Sequence, residues 1–153
     1  MTARRYSLVL IVSLLIGWSR PGTTEVFLDP TIAFRTQMQE LNAQTIQLTF
    51  EIAPGYYLYR DKIRITLHEP PAGITPGTLE WPEPAKKTDK FFGEMMVYYD
   101  QAAIRIPVQG VTPANPIIGS LHWEVRFQGC AEAGLCYPPQ TRLLSIGNAH
   151  AVE

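Results

Sequence analysis

Cys130 and Cys136 are the only thiols among the 153 residues of this chain, and five residues separate them. A pair so close can close a structural loop, exchange electrons as a dithiol–disulfide couple, or help to bind a metal. Gly129 and Gly134 flank and interrupt the segment, so tight backbone turns are accessible there. The two Cα atoms can then approach the ~5.5–6 Å that a disulfide prefers. Closing a loop of about seven residues contributes roughly 2.4 kcal/mol in the chain-entropy treatment, which is little for a staple. A bond placed for stability gains more by joining distant strands, whereas a short loop at a sheet edge stays open to another thiol. The spacing alone fits a structural hairpin bond and an exchangeable one. Zinc usually requires four ligands, and His68, His122 and His150 show no ligand spacing to the cysteines; neither a metal nor another cofactor is expected. Glu132 is the one charge between the thiols, with Arg126 and Arg142 on the flanking segments. Thiolates are stabilised by nearby cations or helix N-termini, so no strongly acidic thiol is expected, and the pair needs a specific partner.

The segments that must position this loop read as short strands. Ile46, Leu48, Phe50 and Ile52 alternate with Thr45, Gln47, Thr49 and Glu51, the pattern of a half-buried strand. Leu121, Trp123, Val125 and Phe127 alternate with His122, Glu124 and Arg126, and run straight into the cysteines. Ile63, Ile65 and Leu67, residues 95–99, Ile104 with Ile106 and Val108, and residues 141–146 supply further strands, with a short one over 79–81. Residues 26–30 suggest an edge segment ended by Pro30, and residues 33–42 show no clean period. Residues 69–77, 82–90 and 111–119 read as loops; the polar 82–90 stretch ends in Phe91-Phe92-Gly93, an aromatic pair that a polar loop does not require. Six to eight short strands between Pro/Gly turns predict an all-β sandwich.

The chain's length fits one domain with accessories, and 46% hydrophobic residues suffice for a core. Thirteen prolines and eleven glycines favour turn-rich β structure over helix. The formal net charge of −1 gives no reason to expect nucleic acid, which selects a basic surface. The N-terminus has the layout of a secretion signal: Arg4 and Arg5, an apolar run from Ser7 to Ile16, and a small-residue site at Gly17-Trp18-Ser19. The run is shorter than the ~20 residues that span a bilayer. The expected organisation is a signal peptide over residues 1–19, a flexible lead over 20–25, one domain over 26–147 and a tail over 148–153. Loss of the signal removes Arg4 and Arg5 and leaves the remainder more acidic, in a compartment that permits disulfides.

Three stretches together resemble the N-terminal periplasmic domain of the thiol:disulfide interchange protein DsbD family. They are the cysteine segment from Gln128 to Pro139, the Gly55-Tyr56-Tyr57-Leu58-Tyr59-Arg60 stretch with Ile63-Arg64-Ile65, and Asp89-Lys90-Phe91-Phe92-Gly93. The likeness covers residues 26–146. It implies an immunoglobulin-like β-sandwich with a small catalytic insertion. It implies a periplasmic module that relays electrons from a thioredoxin-like donor domain, itself fed by a transmembrane electron transporter. Recipients would be other thioredoxin-fold proteins, a disulfide isomerase and a cytochrome c maturation thioredoxin. In this resemblance Cys136 forms mixed disulfides with partners and Cys130 resolves them by thiolate attack on sulfur. Asp89, Lys90, Phe91, Phe92 and Gly93 match a cap loop over the pair, with Phe91 its shielding ring and Phe92 expected in the core. Tyr57 and Tyr59 match aromatic residues beside the site. Where the family carries an acidic residue after the cap-loop aspartate, this chain has Lys90. The competing reading is a non-catalytic immunoglobulin-like binding module with a structural disulfide.

Overall fold

The computed structural model describes residues 26–112 and 118–146. The signal, the lead, the tail and part of the 111–119 loop lie outside the described residues. Along the chain come a one-turn helix α1 (Pro30–Ala33) and strands β1 (Phe34–Asn42), β2 (Thr45–Ile52), β3 (Tyr56–Tyr59), β4 (Arg64–His68) and β5 (Thr75–Pro76). There follow β6 (Ala85–Asp89), β7 (Gly93–Tyr98), β8 (Gln101–Gln109), β9 (His122–Phe127), β10 (Gly129–Ala131) and β11 (Gln140–Leu144). They form three antiparallel sheets, ordered β1-β2-β8-β5, β11-β9-β4 and β10-β3-β7-β6.

The first two sheets make the immunoglobulin-like sandwich. On β2, Ile46, Leu48, Phe50 and Ile52 are buried, and on β9 Trp123, Val125 and Phe127 are buried while His122, Glu124 and Arg126 face water. The two inner faces meet at Phe127, whose ring centroid lies 5.1 Å from Phe50 and 6.1 Å from Phe34, both edge-on. Such pairs add about 0.5–1.5 kcal/mol each beyond their area burial.

Four departures from the sequence expectations have physical causes. Residues 33–42, which show no period, form the last residue of α1 and the long edge strand β1. Phe34, Thr36 and Met38 alternate inward, but the strand then leaves the core and Gln39 to Asn42 are exposed. Thr36 occupies a core-facing position because the buried Arg142 guanidinium donates to it (3.1 Å), to the Phe34 carbonyl (2.6 Å) and to that of Pro30 (3.1 Å). The expected edge segment at 26–30 pairs with no strand. It is held by tyrosine hydroxyls, the Leu28 amide donating to Tyr56 Oη and Tyr137 Oη donating to the Leu28 carbonyl. Residues 79–81 contribute a single bridge, Glu80 to Arg105, and residues 85–89 of the expected loop form β6, pairing with β7 from Ala85↔Val97 to Asp89↔Gly93. Being an edge strand, β6 buries only Asp89 fully, so no hydrophobic alternation marks it.

The third sheet grows out of the second. Arg60–Lys62 forms a 3-10 turn that divides β3 from β4, and Gln128 divides β9 from β10. The β4–β9 ladder (Arg64↔Arg126) thus passes into the β3–β10 ladder (Leu58↔Gly129, Tyr57↔Cys130, Tyr56↔Ala131). A strand pair rooted in the core therefore carries Cys130 beyond it.

Candidate redox site

All four residues of β3 are buried, because both faces of the strand are covered. Tyr56 and Leu58 point into the sandwich core, while Tyr57 and Tyr59 line a second cluster with Val97 and Cys130, against which Met95 and Cys136 pack. Residues directly opposite on an antiparallel pair share a face, so the Tyr57↔Cys130 register places the cysteine among these rings. At Gly129 a side chain would meet the Phe34 ring at 2.5 Å and the Tyr57 carbonyl at 2.7 Å. The missing Cβ lets β10 lie down on the core.

After β10 the chain turns back on itself. Ala131 N donates to Leu135 O (2.7 Å), Gly134 N to Ala131 O (2.9 Å), Tyr137 N to Gly129 O (3.1 Å), and Glu132 N to Gly55 O (2.8 Å). Gly134 has φ +104°, a conformation suited to glycine. Cys130 and Cys136 face each other across this hairpin and form a disulfide with Cα atoms 4.0 Å apart. That is closer than the spacing led one to expect, because the two residues sit at one antiparallel bridge. Cys130 is fully buried, whereas Cys136 is partly exposed.

Tyr59 Oη lies 3.2 Å from Cys130 Sγ and 3.7 Å from Cys136 Sγ; with both sulfurs bonded to each other, the hydroxyl is the donor. Burial pushes the Tyr59 pKa up to about 12, so it keeps its proton at any physiological pH. Tyr57 is raised as well, by burial and then by its hydrogen bond to Asp89.

Asp89 joins this cluster to the β6–β7 turn. Its Oδ2 accepts from Tyr57 Oη (2.5 Å), and its Oδ1 accepts from the amides of Phe91 (2.7 Å) and Phe92 (3.0 Å). Burial pushes its carboxyl pKa up, but these hydrogen bonds outweigh burial and hold it below the ordinary value. The turn ends at Gly93, with φ +76°. Neither ring of the aromatic pair is in the core: Phe91 is 48% and Phe92 45% exposed. Phe92, expected inside, packs edge-on to Tyr59 at 5.2 Å with the Lys62 ammonium over its outer side. The Lys90 ammonium sits over Phe91 and against Gly134 of the cysteine hairpin.

Sequence reading passed over Lys87. It lies on the same face of β6 as Asp89, its ammonium 4.5 Å above the Tyr57 ring and 2.7 Å and 2.9 Å from the two oxygens of Glu132. The strands that carry these charges, β6 and the extension of β10, are opposite edges of the sheet, so the pair bridges the site face. The anion between the cysteines is thereby neutralised. Nothing in the sequence could have found this without the register of β6. Arg142, named earlier as a flanking cation, is committed to β1 and lies over Phe127; it does not touch the thiols. Among the described residues no group of three or more His, Cys, Asp or Glu side chains could hold a metal ion.

A β-sandwich that extends one ladder to present a cysteine hairpin, backed by tyrosines and flanked by an aromatic turn, defines a disulfide-exchange class of domain. Residues 24–148 match the family described as thiol:disulfide interchange protein DsbD, N-terminal, and the chain belongs to that family. It is 36% identical over 125 residues to the thiol:disulfide interchange protein DsbD of Cronobacter sakazakii, covering 82% of this chain and 20% of that protein. It is 34% identical over 155 residues to DsbD 1 of Pseudomonas aeruginosa, covering 94% of this chain and 25% of the relative. The chain thus spans a fifth to a quarter of the length of these relatives. Among solved structures it is similar to the reduced DsbD N-terminal domain of Neisseria meningitidis, with TM-score 0.65 and 28% identity over 80% of this chain and 91% of the other. It is also similar to a chain in the complex between the DsbD N-terminal and PilB N-terminal domains of that organism, with TM-score 0.64 and 29% identity over 82% and 91% of the two chains.

Proposed function

We propose that this domain is a periplasmic protein-disulfide reductase module that passes electron pairs between thioredoxin-fold proteins. The observation that carries the reading is the asymmetry of the disulfide, Cys130 wholly buried against the Tyr59 hydroxyl and Cys136 a partly exposed residue. In the charging direction a donor thiolate attacks Cys136 Sγ, and the Cys130 sulfur leaves with the electron pair of the S–S bond and takes up a proton. The donor's second thiolate then attacks its own mixed-disulfide sulfur and releases Cys136. Delivery runs in reverse: the Cys136 thiolate attacks an acceptor disulfide, and Cys130 attacks Cys136 Sγ to expel the reduced acceptor. Each cycle moves two electrons and two protons. The Tyr59 hydroxyl hydrogen-bonds the departing Cys130 sulfur; Phe91 and Phe92 restrict access by stray thiols, and Asp89 holds their turn.

A rivet role is less well supported, since the bond closes a hairpin that backbone hydrogen bonds already define. The donor domain, a membrane electron transporter feeding it, and acceptors such as a disulfide isomerase or a cytochrome c maturation thioredoxin follow from membership of the family and belong to the same proposal. So do export by the N-terminal signal and the domain limits at 26 and 147. Mixing the Cys130→Ser protein with an oxidised thioredoxin-like partner should trap a covalent adduct through Cys136, seen by mass spectrometry and lost with dithiothreitol. Failure to form it, with Cys136→Ser as the blank, rules the reading out.

A further inference from the structure

Beside the cysteine hairpin, on the β4–β9 side, lies a cavity of about 270 Å³ lined by Asp61, Lys62, Arg64, Arg126, Gln128 and Pro139. Arg64 and Arg126 are directly opposite in the ladder, an arrangement of like charges that is unfavourable by itself. All three cations of the cavity are exposed. The one anion, Asp61, is engaged by Arg60 at 3.2 Å, and among the described residues the Arg126 guanidinium has no hydrogen bond or ion pair. Two of the lining residues bracket the cysteine hairpin along the chain: Gln128 stands two positions before Cys130 and Pro139 three after Cys136, and the Gln128 amide donates to the Tyr137 carbonyl at 3.0 Å. Lys62 reaches over Phe92, and Lys90 lies against Gly134 at the other side of the hairpin. Glu132 is paired with Lys87 and Glu94 with Lys86, which leaves Glu124 as the one anion beside Arg126 on the solvent face of β9, against four cations.

We infer that Lys62, Arg64, Arg126 and Lys90 form a cationic collar around Cys136 that docks a thioredoxin-fold partner bearing carboxylates at the rim of its own active site. The inference rests on the exchange function proposed above and names the partner's chemistry. A chain of formal charge −1 would repel an acidic partner weakly at long range, so a concentrated local field of opposite sign selects which face is met. Complementary charge of this kind acts chiefly on the encounter rate and on the choice of partner. It raises association by about 10- to 1000-fold at low salt and fades as ionic strength rises.

The test measures reduction of the Cys130–Cys136 disulfide by stopped flow, with two reductants: a reduced thioredoxin whose active-site rim is acidic, and neutral dithiothreitol. The thioredoxin rate should fall about tenfold or more between low and high salt, while the dithiothreitol rate stays flat. In Arg126→Glu, and less in Arg126→Gln, the ratio of thioredoxin rate to dithiothreitol rate at low salt should drop toward its high-salt value. Arg126 projects from the solvent face of β9, and the dithiothreitol rate reports whether each variant's site is intact. A salt-independent thioredoxin rate, or an unchanged ratio in Arg126→Glu, overturns the collar and leaves the exchange function standing. Reduction by dithiothreitol but by no thioredoxin-like protein overturns both.

Discussion

Replacing Asp89 tests how the aromatic turn is attached to the site. The carboxylate accepts three hydrogen bonds, two from turn amides and one from the Tyr57 hydroxyl. Hydrogen bonds to a charged group contribute about 1.5–3 kcal/mol each. The Phe91 and Phe92 amides are partly buried and can turn to water once freed, so their share falls at the low end. Tyr57 is 3% exposed, and an orphaned buried hydroxyl costs about 1–3 kcal/mol. Asp89→Ala should therefore lower stability by about 3 kcal/mol at pH 7, read as a shift of the urea midpoint at constant slope. Asp89→Asn keeps an acceptor for the amides and should lose about 1–2 kcal/mol, the charge assistance alone. The pH dependence supplies a second check. A carboxyl whose folded pKa is depressed contributes its full stabilisation above the unfolded value of about 3.9, and loses it as pH falls through the folded value. The gap between the native protein and Asp89→Asn should be constant at pH 5–7 and close in stronger acid. A gap that persists unchanged to pH 2.5, or a loss below about 1 kcal/mol for Asp89→Ala, would refute the reasoning.

Three further outcomes are expected. Gly129→Ala forces a methyl against the Phe34 ring and the Tyr57 carbonyl; the backbone atom cannot yield, so thermal unfolding should show a loss of about 2–3 kcal/mol. Arg142→Met should cost at least about 2 kcal/mol, because it strands the carbonyls of Phe34 and Pro30; a neutral result in urea melts would show that water replaces the guanidinium. Phe91→Ala and Phe92→Ala should each speed disulfide reduction by a small thiol such as glutathione, Phe92→Ala with an added change in Tyr59 fluorescence since their rings touch; unchanged rates would remove both rings from any shielding role.

Much of this molecule was legible in the chain because its central strands obey simple alternation. β2 and β9 are half-buried, so period two survives in Ile46 to Ile52 and in Trp123 to Phe127. The cysteine hairpin was legible because glycines and two sulfurs mark it without any sheet. The strand that continues from Tyr56 to Leu67 hid its division between two sheets, since β3 is buried on both faces and shows no alternation to interrupt. β6 stayed hidden because an edge strand of Lys, Lys, Thr and Asp buries almost nothing. Phe92 was expected in the core on hydrophobicity alone, yet the turn that Asp89 pins carries it to the surface of Tyr59. Lys87 and Arg142 are cations with long-range partners, 45 and 108 residues away, and composition says nothing about such distances.

Three backbone hydrogen bonds close the cysteine hairpin and a fourth ties its Glu132 to Gly55, and none of them involves sulfur. In the exchange proposed above, these bonds would hold the two thiols as neighbours once the S–S bond opens, and the second step of delivery would be an internal displacement with the advantage that intramolecular reactions hold over bimolecular ones. In that scheme the Cys130 thiolate stands ready to displace a partner joined through Cys136, and the covalent complex would be short-lived.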